Sequence, residues 1–224
     1  MRPLEDLINT EEPGIALVRE WLTEASNPVE VLDCEAGAGD ETLLALQVTT
    51  RSPMGALAHD TGGLLVDHGW VRVLGAGCPR LPRSIAAWNG LGDDAEPRLS
   101  GAIAIGDDVV GGFYALNGGN LPGEPGNVSY FAPDSLEWED LEMSYSQWLH
   151  WLFTGDLARF YENTRWPNWE SEVAKLGGSQ GFTIYPFLWA EGPPVGERTR
   201  GAAPIEELWH LHVIEFPRQL RSQT

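Results

Sequence analysis

Lysine is almost missing from this chain: one residue, Lys175, stands among 224. With 14 basic against 33 acidic side chains, the formal net charge is −19. A surface that acidic repels phosphate backbones, because nucleic-acid binding rests on clustered Lys and Arg that release counterions. No nucleic-acid partner is expected. Cysteine is scarce as well, and Cys34 and Cys78 make neither a disulfide framework nor a metal motif. No apolar run approaches the ~20 residues of a membrane span. The opening MRPLEDLINTEEPG lacks the charged start and apolar core of a signal peptide. These absences predict a cytoplasmic protein with no membrane partner.

The common catalytic signatures are missing too. No GxGxxG leads into a helix, no GxxxxGK[ST] cradles a phosphate, and no HExxH occurs. No cofactor is expected. What remains is a globular composition with 42% hydrophobic residues, ten tryptophans, and enough glycine (26) and proline (16) for many turns. The negative field favours cationic partners and speeds their approach.

Periodicity divides the chain coarsely. In IALVREWLTEAS, Leu17, Val18, Trp21, Leu22 and Ala25 share one helical face. VEVLD reads as a strand. LLALQVTT, GALAHD, LLVDHG and WVRVLG read as four further strands, separated by Ser52-Pro53, Thr61-Gly62-Gly63 and Asp67-His68-Gly69. GLGDDAEPRLSG reads as a flexible insertion. AIAIGDDVVGGFYALNGG predicts two strands joined at a polar tip carrying Asp107 and Asp108; NVSYFAP and LEWEDL continue the strands. Residues 144–163 form the clearest helix, kinked at Gly155, and the chain closes with a helix, a strand and a helix. The expectation is a single α+β domain over 1–224, with a mainly antiparallel central sheet and helices at the two ends.

Several residues invite a chemical reading. Asp107 and Asp108 suggest a hard cation, but neighbours on a strand point to opposite faces, so a turn is the simpler reading. His59-Asp60 and Asp67-His68 flank one predicted hairpin, where convergence would make a metal or hydrolase site. Arg51, Arg72, Arg80 and Arg83 suit either an anion pocket or, more simply, pairing with surplus carboxylates. Trp138, Glu139, Asp140 and Glu142, beside the long helix, form an acidic and aromatic group suited to a basic protein partner.

The blocks QVTTRSPMGALAHDTGGLLVDHGWVRVLGAGCPRLPRSIAAWN, IGDDVVGGFYALNGG, VSYFAPDSLEWEDLEMSYSQWLHWLFTGDL and RWPNWESEV resemble the bacterial family of domain of unknown function 2625. That resemblance covers about residues 4–220 and implies no particular activity. Residues 100–163 are also similar to SUKH-superfamily domains: a Gly-rich hairpin at 105–116, a strand at 128–131 and a serine-led helix at 144–153. This second resemblance implies an immunity or scaffold protein that binds other proteins.

Two functions follow as expectations. One is a non-enzymatic, acidic protein-binding module of the immunity or regulatory type, engaging a cationic partner. The other is a small-molecule hydrolase using His59, Asp60, Asp67 and His68.

Overall fold

In the computed structural model, residues 1–92 and 96–221 are described. Asp93, Asp94 and Ala95 of the expected flexible insertion lie outside them. Among the described residues, nine strands form two sheets. The large sheet takes β1 (Val29–Leu32), β2 (Gly63–Val66), β3 (Val71–Leu74), β4 (Ala102–Asp108), β5 (Phe113–Asn117), β6 (Asn127–Ala132) and β7 (Glu137–Ser144) in spatial order identical to chain order, every pair antiparallel. A small antiparallel sheet pairs β8 (Gln180–Tyr185) with β9 (Thr199–Pro204). This is the α+β architecture that the sequence predicts.

The helices are α1 (Leu4–Leu7), α2 (Gly14–Glu24), α3 (Ala38–Leu46), α4 (Pro53–Asp60), α5 (Ile85–Trp88), α6 (Tyr145–Thr154), α7 (Leu157–Phe160), α8 (Trp169–Val173), α9 (Ile205–Trp209) and α10 (Phe216–Arg221). A π-helical stretch, His210–Glu215, joins the last two. Among the described residues, no helix is long and apolar enough to cross a membrane.

Two of the predicted strands are helices. The first half of LLALQVTT belongs to α3, which is followed by Gln47 in the left-handed conformation, and GALAHD belongs to α4. Ser52-Pro53, read as a turn, is a helix start: the Ser52 hydroxyl accepts from the Gly55 amide, and Pro53 takes the first helical position. Glycine lets the two helices touch, since a Cβ on Gly39 would stand 2.0 Å from the His59 carbonyl oxygen. Small, apolar residues over eight positions fit either element, and this close crossing selects the helix.

The best-marked helix is α6. Ser144 and Gln147 form a reciprocal capping box, Gly155 ends the helix, and Trp148, Leu149, Leu152 and Phe153 are buried along one stripe. In α2, by contrast, Leu17 of the expected buried face is 41% exposed while Val18 is fully buried.

Alternation along β4 assigns the two faces of the large sheet. On one face, a Cβ on Gly106 would approach the Trp148 ring of α6, and Tyr114 packs at a tilt against the same ring. On the other, Phe113 meets Trp209 of α9 edge-on, and Trp209 meets Trp88 of α5. One hydrophobic cluster runs from Val18 to Phe216 and includes the fully buried Trp70 and Trp148. Each buried indole withdraws ~150–250 Å² from water, so these rings dominate the packing energy.

Candidate functional site

Asp107 and Asp108 do not form a polar tip. They end β4, the turn falls at Val109–Gly112, and both side chains are fully buried. Because they are neighbours on a strand, they serve opposite faces.

Asp107 faces β8 and is gripped by two arginines. Its Oδ1 accepts from Arg72 Nε at 2.6 Å, and its Oδ2 accepts from Arg83 Nη1 at 2.6 Å. Both guanidiniums reach on to the segment at the start of the small sheet: Arg72 donates to the Gln180 carbonyl, and Arg83 to the Gly178 carbonyl at 2.9 Å. The triad therefore fastens the small sheet to the large one. Ionised groups this deep persist only when paired and hydrogen-bonded, although Arg83 Nε is buried without a partner.

Asp108 faces α6 and α7. It accepts from the Tyr130 hydroxyl at 2.6 Å and from the amides of Val110 (3.0 Å) and Gly112 (2.8 Å), which shapes the β4–β5 turn. Burial pushes its carboxyl above the ordinary range, and those three donors oppose the rise. Beyond Tyr130, the rings of Tyr114 and Tyr161 share a 2.6 Å hydroxyl contact, and burial raises all three phenols. All the polar atoms of this carboxylate are used by the fold, so the aspartate pair is a scaffold.

The four arginines weighed as an anion pocket pair with carboxylates instead. Besides Arg72 and Arg83 on Asp107, Arg51 meets Glu12 at 2.6 Å and Arg80 meets Glu30.

The His/Asp quartet is not brought together. His59 and Asp60 end α4, whereas Asp67 and His68 form the β2–β3 turn, so β2 separates the pairs by its length. His59 is held between Asp60 (2.5 Å) and Asp40 (3.0 Å). Asp67 meets Arg165 at 2.5 Å, and His68 packs edge-on against Trp169. Among the described residues, no three His, Cys, Asp or Glu side chains gather where a metal ion could be held. A cleft of about 700 Å³ does open beside His68, between β1–β3 and α8, with the Arg80–Glu30 pair at its wall.

The acidic group on β7 divides into two kinds of residue. Glu139 and Glu142 are exposed on the outermost strand of the sheet. Trp138 is half-buried against Phe131, 5.4 Å between ring centroids. Asp140 organises an irregularity in the β6–β7 pairing: it accepts from the amides of Glu142 (2.9 Å) and Glu124 (3.3 Å) and from Asn127 Nδ2 (3.2 Å). Those bonds, the Glu142 amide foremost, hold its carboxyl below the usual range.

A second cleft, of about 720 Å³, lies where α5 meets α9, and sequence reasoning did not find it. Trp88, Trp209, Glu206 and Glu207 line it together with Arg98. The Arg98 guanidinium lies 3.8 Å from the Trp88 ring centroid and 5.4 Å from that of Trp209. It is bound end-on by Glu206, at 2.9 and 3.0 Å, and donates to the Trp88 carbonyl. Stacking of this kind contributes ~0.5–2 kcal/mol according to how far it is desolvated. The Trp88 indole N–H is buried without a partner. No sequence signal links positions 88, 98 and 209; they meet only because α9 returns across the sheet face that α5 covers.

Two relatives match nearly the whole chain. A putative uncharacterized protein of Escherichia coli K12, YbfG, is 45% identical over 213 residues, covering 94% of this chain and 95% of that one. An uncharacterized protein of Haemophilus influenzae is 36% identical over 220 residues, covering 96% of this chain and 95% of its own. No solved structure matches the chain. The family model described as protein of unknown function DUF2625 matches residues 4–208. The chain belongs to the DUF2625 family.

Proposed function

We propose that this protein is a non-enzymatic binding module, of the immunity or regulatory type, that engages a basic protein. The observation that carries this reading is the partition of charge. Arg51, Arg72, Arg80, Arg83, Arg98, Arg165, Arg200 and Arg218 each meet a carboxylate of the chain itself. The surplus acid is left outward, and Glu137, Glu139 and Glu142 stand exposed along β7, the edge of the large sheet.

An edge strand offers unpaired backbone groups to any strand that approaches. Carboxylates along it repel a second copy of the same edge and accept a basic strand. The same field disfavours nucleic acid. The reading needs no cofactor, and the strand–hairpin–strand–helix order of residues 100–163, on which the likeness to SUKH domains rests, supports the same kind of role. A cytoplasmic setting suits it, with a basic protein as the partner class.

The test is capture from a bacterial extract at low and high salt, with wild type beside a Glu139→Lys/Glu142→Lys variant. A basic protein held by wild type at low salt, shed at high salt and lost with the variant supports the reading. Equal retention by the variant rejects the β7 face, and retention of no basic protein rejects the reading.

A further inference from the structure

The cleft between α5 and α9 already holds a cation, and that cation belongs to the chain. Arg98 comes from the segment after α5, not from either wall, and places its guanidinium on the Trp88 indole, beside the Trp209 ring that meets Trp88 edge-on. Glu206 binds it end-on. A flat, weakly hydrated cation laid on an indole face, flanked by a second indole set nearly perpendicular to the first, and closed by a carboxylate is the chemistry of arginine recognition. The Arg98 side chain is only 18% exposed, so its guanidinium is held inside the cleft.

The walls exceed what one internal arginine requires. Glu207 lines the same cleft, and no described residue forms an ion pair with it. Pro204 and Ile214 supply apolar surface for the stem of a long side chain. The cleft's volume of about 720 Å³ is far larger than the guanidinium seated in it.

We propose that the Trp88–Trp209–Glu206 cleft is a seat for an arginine side chain of a basic protein, occupied in the free protein by Arg98. This rests on the reading of the chain as a binder of basic proteins and adds the class of side chain recognised. A tethered side chain competes at an effective concentration of order millimolar, so Arg98 sets a threshold that excludes lone arginine. A partner presenting an arginine within a longer interface displaces it, because the remaining contacts of that interface add to the exchange.

The test titrates acetyl-arginine amide and acetyl-lysine amide into ¹⁵N-indole-labelled wild type, Arg98→Ala and Arg98→Ala/Glu206→Gln, following the Trp88 and Trp209 Nε1–H signals. Arg98→Met, which keeps an apolar stem over Trp88, takes the place of Arg98→Ala if the alanine variant unfolds. The expected result is that the emptied seat binds acetyl-arginine amide at least about tenfold more tightly than wild type. Acetyl-lysine amide binds it more weakly, and loss of Glu206 removes the gain. No shift of either indole signal in Arg98→Ala at concentrations of order 10 mM overturns the seat. A parallel titration with poly-arginine separates the two ideas. If wild type still binds it in a salt-sensitive way while the seat stays silent, the acidic binding surface survives and the seat does not. If neither ligand binds, both fall.

Discussion

Arg72 on β3 and Asp107 on β4 are direct cross-strand partners, and their side chains meet at 2.5 Å with both residues almost wholly buried. Cross-strand pairs ordinarily steady the sheet they belong to. This one also carries a second sheet, because Arg72 continues to the Gln180 carbonyl while Arg83, on the other carboxylate oxygen, continues to Gly178.

Removing the carboxylate charge should be severe. Asp107→Asn leaves two buried guanidiniums facing a neutral amide, and loss of one member of such a cluster costs about 3–5 kcal/mol. Urea unfolding measures it. The concerted change Arg72→Met/Arg83→Met/Asp107→Leu should be milder than Asp107→Asn, since no uncompensated charge is left. A triple variant less stable than the single one would contradict the account.

On the opposite face, Gly112→Ala should cost more than Tyr130→Phe. A Cβ at Gly112 would stand 2.2 Å from both the Asp108 carboxylate and the Tyr130 hydroxyl, breaking the turn and the contact together. Tyr130→Phe removes one hydrogen bond to a charged group, worth about 1.5–3 kcal/mol. Equilibrium unfolding of the two variants under one condition ranks them.

His212 gives the fold a defined pH response. Its ring is buried, its Nδ1 donates to the Gly111 carbonyl at 3.0 Å, and burial depresses its folded value below the ordinary imidazole value, with the Gly111 bond opposing. The unfolded chain therefore takes up the proton first as pH falls. Stability from the neutral ring is fully present above the ordinary imidazole value of about 6.5 and is lost as pH falls from there through the lower folded value. Melting temperatures from pH 7.5 to 5 should fall more steeply for wild type than for His212→Asn. Parallel slopes would remove the histidine from the explanation.

The residues of β7 should separate in mutagenesis. Glu139→Lys/Glu142→Lys leaves the melting temperature near wild type, as surface changes do, and abolishes capture of the basic partner. Asp140→Ala lowers the melting temperature, because its carboxylate organises the pairing irregularity through Glu142, Glu124 and Asn127. If Asp140→Ala melts like wild type, the carboxylate is dispensable to the strand.

Where a physical signal was local, the sequence displayed it. The helical pattern of residues 144–163 marked α6, Gly155 marked the break, and turn residues marked β4 to β7. The helices α3 and α4 were misread because their identity is decided by a tertiary contact, Gly39 against the His59 carbonyl, that no window of sequence contains. The same limit governs the candidate site. Pairing of Arg72, Arg80 and Arg83 with carboxylates follows from the charge balance alone. The cleft of Trp88, Arg98 and Trp209 does not, because Trp209 lies more than a hundred residues beyond the other two and shares no spacing with them.

The large sheet has one more consequence. Since spatial order repeats chain order, each strand leaving the ribosome finds its partner already made, and the sheet can lengthen at the pace of translation. During that growth the advancing border presents large apolar side chains, Val71 and Val73, then Ile105, then Phe113, then Phe131. The final strand alone in this sheet carries several exposed carboxylates. Glu137, Glu139 and Glu142 thus close the series as a gatekeeper that stops the finished sheet from recruiting another nascent chain.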